Sequence, residues 1–243
     1  MIQPVKITLF GSSSILLVWD AKIDFRLSKK IIALNRLLKT EFKKEIVATH
    51  LAYHELVLYV DHHVDKMKFI SVLEQFINGL STDMVNEKSV IFNIPVCYKG
   101  NFGWDIDEVC RFNDLTVEEL IELHSKPIYP IHFIGFLPGF PYLGGLNERL
   151  ATPRKSSPRQ KIQAGAVGIA GLQTGIYPIE SPGGWNIIGK TPLKLFDVQQ
   201  KPPTLLQPGN AIKFEPINLA TYDQIAKKIE KGRYTIEQYK NYD

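Results

Sequence analysis

At 243 residues, with 44% hydrophobic and 22% charged side chains, the chain has the composition of a folded protein of one large or two small domains, and disorder is not expected. A formal charge of +4 is too small to make the whole surface a nucleic-acid or membrane binder. Two cysteines, Cys97 and Cys110, cannot build a disulfide framework, and no window approaches the ~18 apolar residues of a membrane span. The expected setting is therefore a reducing cytoplasm, with both thiols free and buried and no signal for secretion.

Residues 5–9 and 15–19 read as two short strands, because Gly11 and three serines interrupt two β-branched and aromatic runs. Between residues 28 and 42, Ile31, Leu34, Leu37, Leu38 and Phe42 recur at helical spacing, with Ser28 as the expected N-cap. Residues 46–52 and 56–60 read as strands, followed by a helix from Asp65, a capping residue, to Gly79, a stop. Residues 90–96 supply a further strand. Strand, helix, strand, strand, helix, strand is the order of a ferredoxin-like split βαβ layer, here with an extra hairpin strand in front.

After Pro95 the pattern changes to two short helices, residues 105–112 and 116–124, with Thr116 and Glu119 at capping-box spacing. They read as a connector. Beyond Tyr129 the apolar runs become short and β-rich between glycine and proline clusters: IHFIGF, AVGIAGL, WNIIG, LKLFDV and AIKFEP, which predict a barrel or sandwich. Residues 218–231 return to helical spacing and end at Gly232, and Thr235 with Gln238 suggests one more helical turn.

Chemistry concentrates between His132 and Asp197. Eleven of the 17 glycines fall between Gly135 and Gly189, where backbone can turn sharply or approach a ligand. Residues 184–191, GWNIIGKT, satisfy the G-x-x-x-x-G-K-T phosphate-loop expression, yet Trp185, Asn186 and two isoleucines favour a strand, and Pro192 with LKLFD gives no helix to follow. Lys190 remains a point charge for a phosphate or carboxylate. Arg149, Arg154, Lys155, Arg159, Lys161 and Lys190 are opposed by Glu180 alone between positions 149 and 190. Arg154 and Arg159, each beside a proline in PRKSSPR, are the preferred anchors for an anion, since guanidinium matches carboxylate or phosphate with two hydrogen bonds; a solvated basic loop is the alternative. Gln173, Thr174, Tyr177, Ser181 and Trp185, beside the amides of Gly175, Gly183 and Gly184, offer groups that could hold a small amide or carboxylate. Simple turn chemistry at SPGG is the competing explanation. No G-x-S-x-G elbow, H-E-x-x-H helix or C-x-x-C pair is present, and no metal site is expected. Of the histidines, His132 is the one to watch.

GFLPGFPYLGGL, TPRKSSPR, AGAVGIAGLQTGIYP and SPGGWNIIGKTP, in that order over about residues 129–209, resemble the family of KipI and the B component of 5-oxoprolinase, also called the allophanate hydrolase subunit 1 family. The resemblance implies an N-terminal α/β domain followed by a cyclophilin-like β-barrel domain; joined to the element order, this gives an α+β fold with a ferredoxin-like α/β domain over residues 1–98, a helical connector over 99–128, and the barrel domain with a C-terminal helix over 129–243. It implies one component of an ATP-dependent 5-oxoprolinase, which opens the lactam of 5-oxoproline to glutamate together with a KipA-like C component and a LamB/YcsF-like A component. ATP with Mg would act in the assembled complex, with none held by the isolated chain, which is expected to be inactive alone. The alternatives that the family offers are inhibition of a sporulation or other sensor histidine kinase, and half of a urea-carboxylase-type carboxyltransferase. The resemblance assigns no roles residue by residue; on side-chain chemistry the substrate-binding candidates are Arg154, Arg159, Gln173, Thr174, Tyr177, Gly183, Gly184, Trp185 and Lys190, with no catalytic residue assigned. Residues 162–166, IQAGA, stand where V-P-A-G-S is common, so one turn proline and one hydroxyl are missing.

Overall fold

Alternation and helical spacing produce most of the elements where the sequence places them in a computed structural model that describes residues 5–19, 25–80 and 89–240. The chain divides into two units, residues 1–87 and 88–243. In the first, β1 (Val5–Phe10) and β2 (Ser14–Trp19) form the expected hairpin, closed by Gly11 at φ 65°. Helix α1 (Phe25–Glu41) follows, then β3 (Ile46–Leu51), β4 (Glu55–Val60) and α2 (Lys66–Asn78). The Asp65 carboxylate accepts from the Met67 and Lys68 amides, which fixes the start of α2. Ser28 is not a cap: α1 begins at Phe25, and Ser28 is buried inside it with its hydroxyl directed at the Tyr53 carbonyl.

The four strands form one antiparallel sheet of order β1-β2-β4-β3. Ile15, Leu17 and Trp19 of β2 and Leu56, Leu58 and Val60 of β4 all point to one face, as period two requires. They meet Ile31, Leu34 and Leu38 of α1 and Phe69, Leu73 and Ile77 of α2, which share a stripe at three- and four-residue spacing. The strand β2, helix α1 and strand β3 make a split βαβ unit with β4 inserted between its strands. The strand expected to complete this layer does not do so. Residues Val90–Val96 form strand β5, but in the second unit, and β1 occupies the edge beside β2 that a ferredoxin-like order reserves for it.

The second unit therefore begins before the two helices expected as a connector. Helices α3 (Ile106–Asn113) and α4 (Val117–Ser125) bury Ile106, Val109, Cys110 and Leu120 in its main core, and α4 starts with the expected Thr116 and Glu119 capping box. Strands β6 (Ile128–Ile134), β7 (Pro141–Leu143), β8 (Arg159–Ile162), β9 (Ala166–Ala170), β10 (Gln173–Ile176), β11 (Ser181–Gly183), β12 (Asn186–Lys190) and β13 (Ala211–Pro216) follow. Helix α5 (Leu219–Glu230) comes next, and Gln238–Lys240 forms strand β14 beside β5 rather than the predicted helical turn. The eight-stranded sheet has order β12-β9-β10-β7-β6-β13-β5-β14 and curls into a half-barrel, while β8 and β11 pair separately. LKLFDV makes no regular strand; Phe196 forms a single bridge with Thr204. Both cysteines are free and buried, as expected. No helix among the described residues is long and apolar enough to cross a membrane.

Candidate functional site

The glycine-rich stretch folds around a second, smaller core of Phe140, Ile162, Ala166, Ala170, Tyr177, Trp185 and Ile187. Above it lies a cleft of about 240 Å³ lined by Phe136, Phe140, Tyr142, Arg154, Pro158, Tyr177, Pro182, Gly183, Gly184 and Trp185. Phe140 is almost fully buried and is the hub of the aromatic wall. Its ring stands edge-on to Trp185 at 5.4 Å and 88°, to Tyr177 at 5.5 Å and 81°, and to Phe136 at 5.6 Å and 89°. Edge-to-face contacts of this kind hold each ring in a fixed plane. The Tyr177 phenol, flanked by Gly183, stays protonated: burial pushes it up to about 12, outweighing a backbone hydrogen bond from Trp185 and the charges of Arg154 and Arg159, which act the other way.

Phe136 carries the clearest backbone strain. Its φ is 64°, a left-handed conformation that bulky side chains avoid, and the Leu137 amide bonds back to the Gly135 carbonyl at 2.7 Å. This tight three-residue turn leaves the Phe136 ring 63% exposed at the mouth of the cleft.

Five of the nine substrate-binding candidates meet here: Arg154, Tyr177, Gly183, Gly184 and Trp185. Four are elsewhere. Thr174 is buried, 2.8 Å from His124 Nε2, and donates to the Gly168 carbonyl at 3.1 Å. That donation uses its only proton, so His124 carries hydrogen on Nε2 and accepts from the Tyr98 hydroxyl at Nδ1, 2.8 Å away. The trio is a closed structural network, and Gln173 on the same strand is likewise outside the cleft lining. Lys190 donates to Gln163 at 2.6 Å and lies 5.5 Å from the centre of the Phe102 ring. Gly189, the second glycine of the GWNIIGKT match, is required for packing: a Cβ there would fall 2.7 Å from Val96 Cγ1. The match is strand β12 with no helix after it, as its isoleucines predict.

Arg159 is held away from the cleft by a residue the sequence did not single out. Asp105, 3% exposed at the start of α3, binds both guanidinium nitrogens of Arg159 at 2.9 and 2.6 Å and Lys155 Nζ at 2.9 Å, and accepts from the Ile187 amide at 2.7 Å. Burial alone would raise this carboxyl, but bonds from Arg159, Lys155 and Ile187 together hold it below its usual range. Lys155 also meets Glu108, and Lys161 pairs with Glu180 at 3.1 Å. Arg154 is exposed and has no carboxylate partner among the described residues. Sequence signal for Asp105 was absent, since its partners lie 50, 54 and 82 positions away; Phe136, Phe140 and Tyr142 stood in the GFLPGFPY motif as a visible aromatic cluster. His132 is buried against Gly144, where a Cβ would overlap its Nε2, and it does not line the cleft.

The curled sheet carries this aromatic cleft, and the chain belongs to the carboxyltransferase domain, subdomain C and D, family, whose pattern matches residues 5–206. It is 57% identical over 132 residues to the B component of the 5-oxoprolinase of Bacillus subtilis (strain 168), an alignment that covers 54% of this chain and spans 55% of that relative. It is 44% identical over 186 residues to the B component of the 5-oxoprolinase of Haemophilus influenzae, covering 76% of this chain and 85% of that protein. The crystal structure of the Kluyveromyces lactis urea carboxylase superposes with a TM-score of 0.81 at 19% identity, over 99% of this chain and 24% of that one, a likeness of fold.

Proposed function

We propose that the chain is the B component of an ATP-dependent 5-oxoprolinase, which does not act alone but binds the lactam whose ring is opened to glutamate. The names of the Bacillus and Haemophilus relatives support this reading, and the observation that carries it is Arg154 at the edge of the aromatic cleft, without a carboxylate partner among the described residues. A guanidinium there meets a carboxylate with two hydrogen bonds. Phe140, Tyr142 and Trp185 supply apolar walls for a five-membered ring and keep water from it. The Tyr177 hydroxyl and the backbone of Gly184 lie where they could donate to the lactam carbonyl, on which negative charge grows when the amide is attacked, while Gly183 is engaged in the ladder with Arg159. On the same reading the curled sheet is a cyclophilin-like barrel, and the complex works in the cytoplasm.

The residues lining the cleft do not fit ATP with Mg. They offer one guanidinium, no carboxylate for a cation and no loop that opens a helix, and the phosphate-loop match is a strand. Nucleotide and Mg are assigned to the assembled complex, with a KipA-like C component and a LamB/YcsF-like A component as the partners. Reconstitution tests the proposal. The chain mixed with its A and C components should release glutamate from 5-oxoproline only when ATP is present, and omission of this chain should stop the reaction. A complex that turns over equally well without it would sink the assignment.

A further inference from the structure

The basic run around the cleft is nearly neutralised from within. Among the described residues, Lys155, Arg159 and Lys161 pair with Asp105, Glu108 and Glu180, and of the four cations Arg154, Lys155, Arg159 and Lys161 it is Arg154 that has no carboxylate partner. The compensating node is built into the cleft wall. Arg159 is the ladder partner of Gly183, the Lys155 amide donates to the Gly184 carbonyl at 2.8 Å, and Asp105 accepts from Ile187, two residues beyond Trp185. Trp104, beside Asp105, adds a ring 5.6 Å from the Arg159 guanidinium. The charges of both Arg154 and Arg159 reach the Tyr177 hydroxyl inside the cleft, so a change in how Arg159 is compensated would be felt by a ligand there.

We propose that Asp105 is the specificity-determining residue of this cleft: by neutralising Arg159 and sharing Lys155 with Glu108, it leaves a site with one positive charge, which selects a cyclic monocarboxylate and discriminates against dianions such as phosphate. The proposal rests on the reading of this cleft as the ligand site. A dianion placed against Arg154 would keep one charge unpaired in a partly desolvated aromatic cleft, whereas a monoanion is matched. Removing the Asp105 charge would release Arg159 and convert the wall into a dianion site. Asp105 touches no ligand on this account; it sets the field in which Arg154 works.

The test uses the full chain and two probes that carry no lactam, cyclopentanecarboxylate and inorganic phosphate, titrated calorimetrically at pH 8 and low ionic strength, where phosphate is a dianion. Wild type should bind the carboxylate roughly tenfold more tightly than phosphate, the scale set by one unit charge at contact distance. Asp105→Asn, which keeps an acceptor for the Ile187 amide, should shift that ratio by about tenfold toward phosphate. Should this variant fail to fold, Glu108→Gln, on the exposed side of the same node, should move the ratio in the same direction by about threefold. Equal binding of the two probes by wild type, no binding of either, or an unchanged ratio in the folded variants would overturn the proposal. Because neither probe can be ring-opened, these outcomes are independent of whether the reconstituted complex hydrolyses 5-oxoproline.

Discussion

The Tyr177 hydroxyl occupies the space that a side chain on Gly183 would need. A Cβ at that position would overlap the phenol oxygen and approach Ile162 Cδ1 to 2.8 Å, and Ile162 is fully buried and has nowhere to go. Gly183→Ala is therefore expected to cost about 1–3 kcal/mol in urea unfolding, the usual penalty for overpacking, and to abolish ligand binding in the cleft by moving the Tyr177 ring. Adding Tyr177→Phe to Gly183→Ala removes the overlapping oxygen, and the double variant should be more stable than Gly183→Ala alone. Additive losses in that cycle would contradict the packing argument.

Stability should fall on the acid side of neutrality because of His124. Burial pulls its imidazole down to about 3, among Tyr98, Tyr129, Thr174 and Phe214, whereas in the unfolded chain it titrates near 6.5. The unfolded state binds the extra proton throughout that interval, so stability is lost as pH falls below about 6.5 and continues to fall toward 3. Between pH 6.5 and 5 the loss from this residue is about 2 kcal/mol. Urea midpoints measured at both pH values should show it. His124→Asn should be less stable at pH 7 yet lose less on going to pH 5; an acid limb as steep as that of wild type would rule His124 out as its cause.

Local signals in the sequence located the elements well, because caps and periodicity act over a few residues. The Asp65 cap, the Thr116 and Glu119 box and the alternation in β2 and β4 all form as written. What the sequence did not specify is pairing. VIFNIPV is apolar enough to be buried in either sheet, and its actual neighbours, parallel β13 and antiparallel β14, both lie more than 110 residues away. The candidate site divides in the same manner. Arg154, Tyr177, Gly183, Gly184 and Trp185 meet because the loops before β8 and around β11 stack together, while Thr174 turns into the core toward a histidine 50 positions away. A hydroxyl beside glycines looks the same in sequence whichever face of its strand it occupies.

Phe136 is expected to serve a ligand in the cleft more than the fold. Its ring is 63% exposed, so its contribution to burial is small, while its left-handed φ of 64° is a cost that glycine would not bear. Phe136→Gly should leave unfolding free energy within about 1 kcal/mol of wild type, as relieved strain offsets the entropy that glycine adds to the unfolded chain. Ligand affinity should drop by roughly tenfold, since one wall of the mouth is lost. Retained affinity would show that the ring does not touch the ligand.

Arg154 and Lys190 make opposite predictions although both belong to the same basic run. Arg154 lines the cleft without a carboxylate partner among the described residues, whereas Lys190 is tied to Gln163, packs over Phe102, and has its ammonium pushed below the usual range by burial. In a reconstituted complex, Arg154→Gln should raise the KM for 5-oxoproline by at least about tenfold, because a charge-assisted pair of hydrogen bonds is lost, while the KM for ATP stays within about twofold. Lys190→Met should leave both values within about twofold and show its effect in unfolding, where the Gln163 contact and the cation over the Phe102 ring together contribute about 1 kcal/mol. A rise in the ATP KM on replacing Lys190 would return the GWNIIGKT stretch to nucleotide binding, against its strand geometry. A 5-oxoproline KM unmoved by Arg154→Gln would place the substrate carboxylate outside this cleft.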